Sequence, residues 1–459
     1  MVSQIGALGK HLALMGFMGA GKTTVGREVA RATHRPFVDT DEEIEKRHGP
    51  IPQIFEERGE AEFRRLEEQV VAEALAGSPA VLALGGGAVV SETTRNRLDQ
   101  HAFVVWLTVD LDTAWTRVQD SGRPLARDRS QFERLYEERL EIYDVLAQGS
   151  GDDATAVLLS ALHIVFSSKL PYDAAVVIDE RVAGLHELQS LRPPLSTHPV
   201  PSGEAAKTLA VVRRLWEDLR IGRDGWIVAF GGGSTTDVAG FVAATYLRGV
   251  RWVAVPTTLV GMVDAAIGGK TGINIAEGKN LAGAFHFPWE VCLDPTFLAT
   301  LPERERRAGM AEVVKTGLLA GRPVWELPEE EMIRACAAYK AGVVLSDPYE
   351  TEGRRAWLNL GHTFAHALEA GSGYRVAHGE AVALGLVAAL RLSGQPTDAV
   401  EEILRPEPVE ADLEIAWAAL KRDKKGEGVF VLLEAPGRPI VTRVADADAR
   451  AALASLVRQ

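Results

Sequence analysis

Leu12-Ala13-Leu14-Met15-Gly16-Phe17-Met18-Gly19-Ala20-Gly21-Lys22-Thr23 carries a short apolar run straight into a G-x-x-x-x-G-K-[ST] loop. The glycines let the backbone curl so that its N–H groups face phosphate oxygens. The helical stretch that follows adds the positive end of its dipole. Lys22 is placed to reach the β- and γ-phosphates of a nucleotide, and Thr23 to hold Mg2+. Gly19, Ala20, Gly21, Lys22, Thr23 and Thr24 are therefore the expected ATP contacts. A strand, a glycine loop and a helix in this order make the start of the chain an α/β domain.

Working outward, apolar runs at His11–Met15, Pro36–Val38, Ala80–Leu84 and Phe103–Leu107 alternate with helical patterns such as Glu60–Leu75. That alternation predicts a parallel sheet covered by helices. Gln148-Gly149-Ser150-Gly151-Asp152-Asp153 breaks the pattern and reads as a linker. Further strands follow at Ala174–Ile178, Trp226–Phe230 and Arg251–Val255. After Leu301-Pro302 the texture turns Ala- and Leu-rich at helical period, as in Gly361–Ala370 and Glu380–Leu392. Three domains are expected: 1–150, 151–301 (again α/β) and 302–459 (mostly helical).

At 459 residues the chain exceeds what one hydrophobic core usually serves. Its net charge of −13 argues against nucleic acid as the main partner, because phosphate backbones demand a basic surface. Local cations can still serve small anionic substrates. The two cysteines, Cys292 and Cys336, form no C-x-x-C pair and suit a reducing cytoplasm. No run of 18 apolar residues occurs and the N-terminus shows no signal-peptide pattern, so neither a membrane span nor secretion is expected.

Four further patterns carry chemistry. Asp39-Thr40-Asp41 closes the second strand, where alternation would send both carboxylates to one side. Gly231-Gly232-Gly233 follows the strand Trp226–Phe230 and opens an Ala-rich helix, an arrangement that suits a phosphate. Glu312, His362 and His378 would give a zinc ion three ligands and leave positions open. Spacing alone leaves His362 with His366, one helical turn away, as a rival ligand pair. Lys270, Lys279, Lys315, Lys340, Arg355 and Lys424 fall in apolar or glycine-rich text, where buried cations need anionic partners. Two phosphate-handling sites in one chain imply two enzymes fused.

The N-terminal part resembles the shikimate kinases. The resemblance rests on the phosphate loop followed, in order, by Asp39-Thr40-Asp41, Glu62-Phe63-Arg64-Arg65, Leu84-Gly85-Gly86-Gly87, Gly122-Arg123-Pro124-Leu125 and Arg139-x-x-x-Tyr143. It implies ATP with Mg2+, and Asp39 beside Thr23 at the Mg2+. It places shikimate on Asp41, Arg64, Gly86 and Arg139, with Asp41 as the base toward the attacking hydroxyl. Arg123 would come from a lid to neutralise the transferring group, and Glu67 would support the arginines.

Residues 170–435 resemble 3-dehydroquinate synthase. The motifs are Gly231–Phe241, Tyr246-Leu247-Arg248-Gly249, Val255-Pro256-Thr257-Thr258, Val263-Asp264 through Lys270-Thr271-Gly272, Gly278-Lys279-Asn280, Ala311-Glu312-Val313-Val314-Lys315 and Asn359-Leu360-Gly361-His362-Thr363-Phe364-Ala365-His366. The resemblance implies NAD+, Zn2+ or Co2+, and a homodimer built through this half, with a Rossmann-like part and a helical part. Zinc would sit on Glu312, His362 and His378. NAD would be held by Asp179, Glu204, Lys207, Gly232, Gly233, Ser234, Asp237, Thr257, Thr258, Asp264, Lys270, Lys279 and Asn280. The heptulosonate phosphate would meet Asp264, Lys270, Lys315, Lys340, Arg355, Asn359, His366 and Lys424, with Arg248 reaching a neighbouring subunit's site. Lys315, Arg355, Asn359 and His366 would take part in catalysis. Arg181 and Thr236 depart from the residues frequent in the family. Another sugar-phosphate cyclase carrying a non-catalytic nucleotide-binding module is the alternative reading.

Overall fold

β1 (His11–Met15) is buried at all five positions, as a central strand covered on both faces must be. In the computed structural model it lies inside a five-stranded sheet with β2 (Phe37–Asp39), β3 (Val81–Ala83), β4 (Ala102–Leu107) and β5 (Gly149–Gly151). The order is β2-β3-β1-β4-β5 and every pairing is parallel. The structure describes residues 6–119, 128–166, 173–186, 194–276, 278–423 and 428–458. The strand order turns back at β1, whose neighbours are β3 and β4. Open α/β sheets bind ligands at the carboxyl ends of such strands. The phosphate loop after β1, Asp39 at the end of β2 and Gly85–Gly87 after β3 all emerge there.

The expected linker at 148–153 is instead structural. Gly149–Gly151 pairs with β4 through Val105 to Leu107. Asp153 caps the helix Ala154–Ala161 by accepting from the Ala156 N–H. A Cβ on Gly149 would strike Ser160 Oγ at 1.9 Å, and one on Gly151 would meet Ala156 Cβ at 2.7 Å. These glycines serve close strand–helix approach, not flexibility. The N-terminal compact unit accordingly runs to Val165, past the boundary expected at 150, and includes Ala341–Ser346.

The second unit begins with another parallel sheet. Its neighbouring strands run Ser196–Val200, Ala174–Asp179, Trp226–Gly231, Arg251–Pro256 and Glu290–Cys292. The helix Gly233–Thr245 starts directly after Trp226–Gly231, so its first-turn N–H groups stand at the sheet's carboxyl edge. An antiparallel pair, Lys270–Ile275 with Gly278–Phe285, follows. Beyond residue 302 come the helices Glu303–Ala320, Glu329–Ser346, His362–Gly371, His378–Leu392, Asp398–Leu404, Leu413–Asp423 and Asp446–Ala454. One hairpin, Val429–Ala435 with Arg438–Arg443, interrupts them. Phe364, Leu368, Leu386, Leu390 and Leu432 share the core that holds these helices together. Among the described residues no helix is long and apolar enough to cross a membrane. Both cysteines are buried and free.

Candidate active sites

In the N-terminal unit the phosphate loop is preformed. Gly19 (φ 81°) and Gly21 (φ 87°) adopt left-handed backbone that L side chains resist. A Cβ on Gly19 would lie 2.8 Å from Ala114 O, whereas nothing lies within 4 Å of one on Gly21. Gly21 therefore borders open space at the start of the helix Lys22–Thr33. Lys22 Nζ donates to Gly16 O (2.8 Å) and Phe17 O (3.2 Å), folding back over the loop. Thr23 Oγ1 donates to Asp39 Oδ2 at 2.6 Å. The same Asp39 caps the next helix, its Oδ1 accepting from the N–H groups of Asp41 and Glu42. The strand ends at Asp39 and Asp41 is already helical. Helix capping, not strand alternation, sets the two carboxylates' positions.

Around Gly85–Gly87 the expected acceptor residues converge. A Cβ on Gly85 would fall 2.5 Å from both Asp41 Oδ1 and Glu67 Oε1. One on Gly87 would meet the Arg64 guanidinium at 2.2 Å. Arg139 Nη1 donates to Gly86 O at 2.9 Å, and the Tyr143 hydroxyl reaches the same oxygen at 3.4 Å. Glu67 is buried and pairs with Arg64 at 2.7 Å. Burial pushes the Glu67 carboxyl up, and Asp41 adds to this, against the pull of Arg64 and Arg139. Arg65 is exposed and pairs with Glu62. Arg123 lies outside the described residues.

In the second unit, Lys207 is buried and bridges Asp237 (2.5 Å) and Asn280. Asp237 is on the first turns of the helix Gly233–Thr245. Glu204 accepts from Ser234 (3.4 Å) and Asn274 (2.7 Å). Asp179 accepts from Ser202 Oγ and the Arg181 N–H. A Cβ on Gly232 would press on Thr258 at 3.1 Å. Thr257 is buried, and its N–H donates to Gly231 O. Asp179, Glu204, Lys207, Ser234, Asp237, Thr257, Thr258 and Asn280 thus gather at the glycine turn.

Glu312, His362 and His378 come together as the spacing allows but does not require. Glu312 sits mid-helix, while His362 and His378 each begin a helix. Glu312 Oε1 lies 3.5 Å from Nε2 of both imidazoles. Two ligand atoms bound tetrahedrally to one zinc lie about 3.4 Å apart, so the donor set fits such an ion. His362 Nδ1 faces Leu360 O at 3.2 Å and His378 Nδ1 faces Glu369 Oε1 at 3.6 Å, leaving both Nε2 atoms for the centre. Burial opposes charge on His378, yet Glu312 and Glu369 raise it to about 10. His366 is exposed, its ring 5.8 Å from that of His362, and it is not part of the trio.

A ladder of buried charges leads away from this centre. Lys315 Nζ lies 2.5 Å from Glu312 Oε2 and 3.4 Å from Asp264 Oδ2. Lys340 pairs with Asp264 Oδ1 and donates to its backbone oxygen at 2.6 Å. Burial opposes ionisation of Asp264, but Lys315 and Lys340 hold it below the ordinary carboxylate range. Arg355 is buried and donates to Gly268 O (3.0 Å) and Pro348 O (2.8 Å), while its Nε finds no partner among the described residues. Lys270 pairs with Glu350, and Lys279 with Glu369 at 3.4 Å. Asn359 and Arg248 are exposed and join none of these contacts; Lys424 lies outside the described residues. Sequence reasoning missed Glu369 and Glu350. Glu369, two helical turns after His362, carried a usable signal: a carboxylate in an otherwise apolar helix face.

The chain matches the shikimate kinase family over residues 18–158. It matches the N-terminal domain family of 3-dehydroquinate synthase over 197–308 and the C-terminal one over 309–425. The bifunctional shikimate kinase/3-dehydroquinate synthase of Thermotoga maritima is 34% identical over 412 residues, covering 81% of this chain and 82% of that protein. The 3-dehydroquinate synthase of Salinibacter ruber is 44% identical over 285 residues, or 55% of this chain and 77% of that protein. A 2-deoxy-scyllo-inosose synthase solved with carbaglucose-6-phosphate, NAD+ and Co2+ is similar in structure, with TM-score 0.55, 27% identity and coverage of 62% and 91%. So is a 2-epi-5-epi-valiolone synthase from Streptomyces hygroscopicus with NAD+ and Zn2+ bound, with TM-score 0.55, 25% identity and coverage of 65% and 92%.

Proposed function

The chain belongs to the family of bifunctional shikimate kinase/3-dehydroquinate synthases, and from that premise we propose how its residues divide the work. It phosphorylates shikimate with ATP, and it converts 3-deoxy-arabino-heptulosonate 7-phosphate to 3-dehydroquinate and phosphate. The observation that carries the division is that each unit brings together anion-binding and proton-handling groups of its own.

In the kinase, the backbone of Gly19–Thr24 cradles the nucleotide phosphates and Lys22 swings from its two carbonyl partners to the transferring group. Thr23 and Asp39, already hydrogen-bonded, hold Mg2+. Arg64 and Arg139 take the shikimate carboxylate, which bidentate guanidinium pairing suits. Asp41 accepts the proton of the attacking hydroxyl.

In the synthase, Glu312, His362 and His378 hold Zn2+ or Co2+, and the glycine turn with Lys207, Glu204 and Asp237 holds NAD+. When bound, NAD+ supplies a reversible hydride acceptor and the metal a Lewis acid for the reacting oxygens. Lys315 and Lys340, each paired with Asp264 in the free chain, turn to the substrate's anionic groups. Lys270 and Arg355 add positive charge, and His366, exposed beside His362, handles protons. The net reaction, with no change in overall oxidation state, is an elimination of phosphate and a ring closure.

The test is ADP release from the full chain with ATP, Mg2+ and shikimate, beside phosphate release from the heptulosonate phosphate with NAD+ and Zn2+. Asp41→Asn is expected to abolish the first and leave the second intact. Shikimate-dependent turnover at the native rate in this variant would refute the assignment of Asp41.

A further inference from the structure

Glu369 is a buried carboxylate that the division of work above does not use. Its Oε1 lies between an imidazole and an ammonium, 3.6 Å from His378 Nδ1 and 3.4 Å from Lys279 Nζ. The opposite nitrogen of the same imidazole faces Glu312 Oε1. Glu369 shares the helix His362–Gly371 with His362, so a ligand and this carboxylate are held by one rigid element. Lys279 is steadied on its other side by the Tyr374 ring, 4.5 Å away. The next residue along the strand, Asn280, accepts from Lys207, which in turn pairs with Asp237 on the helix at the glycine turn. Polar contacts on either side of the Lys279–Asn280 peptide bond therefore lead from the histidine cluster to the nucleotide side of the unit, and Glu369 is where they meet the cluster.

We propose that Glu369 is a positioning residue that orients His378 toward the metal and, through Lys279, links occupancy of the metal site to that of the NAD+ site. This rests on the reading that Glu312, His362 and His378 hold a divalent metal. A carboxylate that accepts from the far nitrogen of a metal-bound imidazole fixes the ring's tautomer and orientation and raises its basicity. Losing such a partner typically weakens metal binding about 10- to 100-fold. Linkage is reciprocal: if NAD+ changes metal affinity by some factor, metal changes NAD+ affinity by the same factor.

The experiment titrates Zn2+ into metal-depleted full chain against a chromophoric chelator, with and without NAD+, and records the visible spectrum of the Co2+ form. Glu369→Gln is expected to weaken Zn2+ binding about 10- to 100-fold, to alter the Co2+ spectrum and to abolish the effect of NAD+ on metal affinity. Lys279→Met, compared with the native chain at NAD+ concentrations shown calorimetrically to saturate each, is expected to lose the NAD+ effect on Zn2+ affinity, which separates the link from any loss of NAD+ binding itself. Native Zn2+ affinity and an unchanged Co2+ spectrum in Glu369→Gln overturn the positioning role. An NAD+ effect in Lys279→Met equal to that of the native chain overturns the link. A native chain that binds no Zn2+ overturns the metal reading itself, and the inference with it.

Discussion

Replacing Arg64 with Met tests whether the kinase acceptor site stores a charge that its fold must compensate. Glu67 is 2% exposed and forms an ion pair with Arg64 at 2.7 Å. Removing one partner of a buried pair costs about 3–5 kcal/mol. An independent bound comes from proton uptake: keeping an ordinary carboxyl neutral at pH 7 costs about 4 kcal/mol, and Glu67 escapes any larger penalty by protonating. The Arg64 side chain is a quarter exposed, so water moderates the loss and about 3 kcal/mol is expected. The sign with pH is fixed. Burial already raises the Glu67 carboxyl above its ordinary value, and Arg64 opposes that. Without Arg64 it rises further. A carboxyl raised by folding favours the folded state below its unfolded pKa and costs stability as pH climbs through its folded one. The deficit of Arg64→Met should therefore be full at pH 7 and shrink toward pH 5. Glu67→Gln in the same chain should recover most of it at pH 7. Because the two units need not unfold together, the assay is amide hydrogen exchange of β1, β3 and β4, not a single melting curve. A deficit under about 1 kcal/mol, or one equal at pH 5 and pH 7, would refute the reasoning.

Other outcomes are expected on the same physical grounds. Gly85→Ala places a methyl 2.5 Å from the Asp41 and Glu67 oxygens, so shikimate saturation should weaken at least tenfold while nucleotide binding by equilibrium fluorescence stays native; an unchanged KM for shikimate would contradict the geometry. Chelation with a zinc-selective ligand should stop phosphate release from the heptulosonate phosphate and leave ADP release untouched in Mg2+ buffer, with Zn2+ or Co2+ restoring the lost activity. Equal loss of both activities would argue that the kinase depends on the ion. Lys207→Met strands Asp237 and frees Asn280, so NAD+ affinity measured calorimetrically should fall about tenfold or more, as for loss of a charged hydrogen bond; native affinity would remove Lys207 from the nucleotide site.

Much of the architecture was legible because it is local. The apolar run before Gly16 and the glycines after it could form only a strand–loop–helix junction, and β1 occupies His11–Met15 as the pattern predicts. The helical texture after residue 302 rests on the same kind of signal. Gly149-Ser150-Gly151 misled because glycine has two uses. Composition reports its freedom, whereas here Ser160 and Ala156 demand its lack of a side chain. The Asp39 and Asp41 pair was found for an inapplicable reason, since alternation ends where the capping carboxylate of Asp39 begins the helix.

What the sequence determined by itself was the set of chemical parts: a phosphate loop, a second glycine turn, and the histidines, carboxylates and buried lysines of two sites. Backbone periodicity and glycine stereochemistry act over a few residues, so those parts could be read without knowing what packs against them. Only the tertiary structure chose among them. His378 and not His366 faces Glu312, because the first residues of two helices meet there while His366 turns outward. Lys315 and Lys340 are paired through Asp264 by contacts spanning tens of residues, and Glu369 stands behind His378 across the turn between two helices. Buried charges take their partners from whichever helix packs nearest, and that choice is made by the core, not by spacing along the chain.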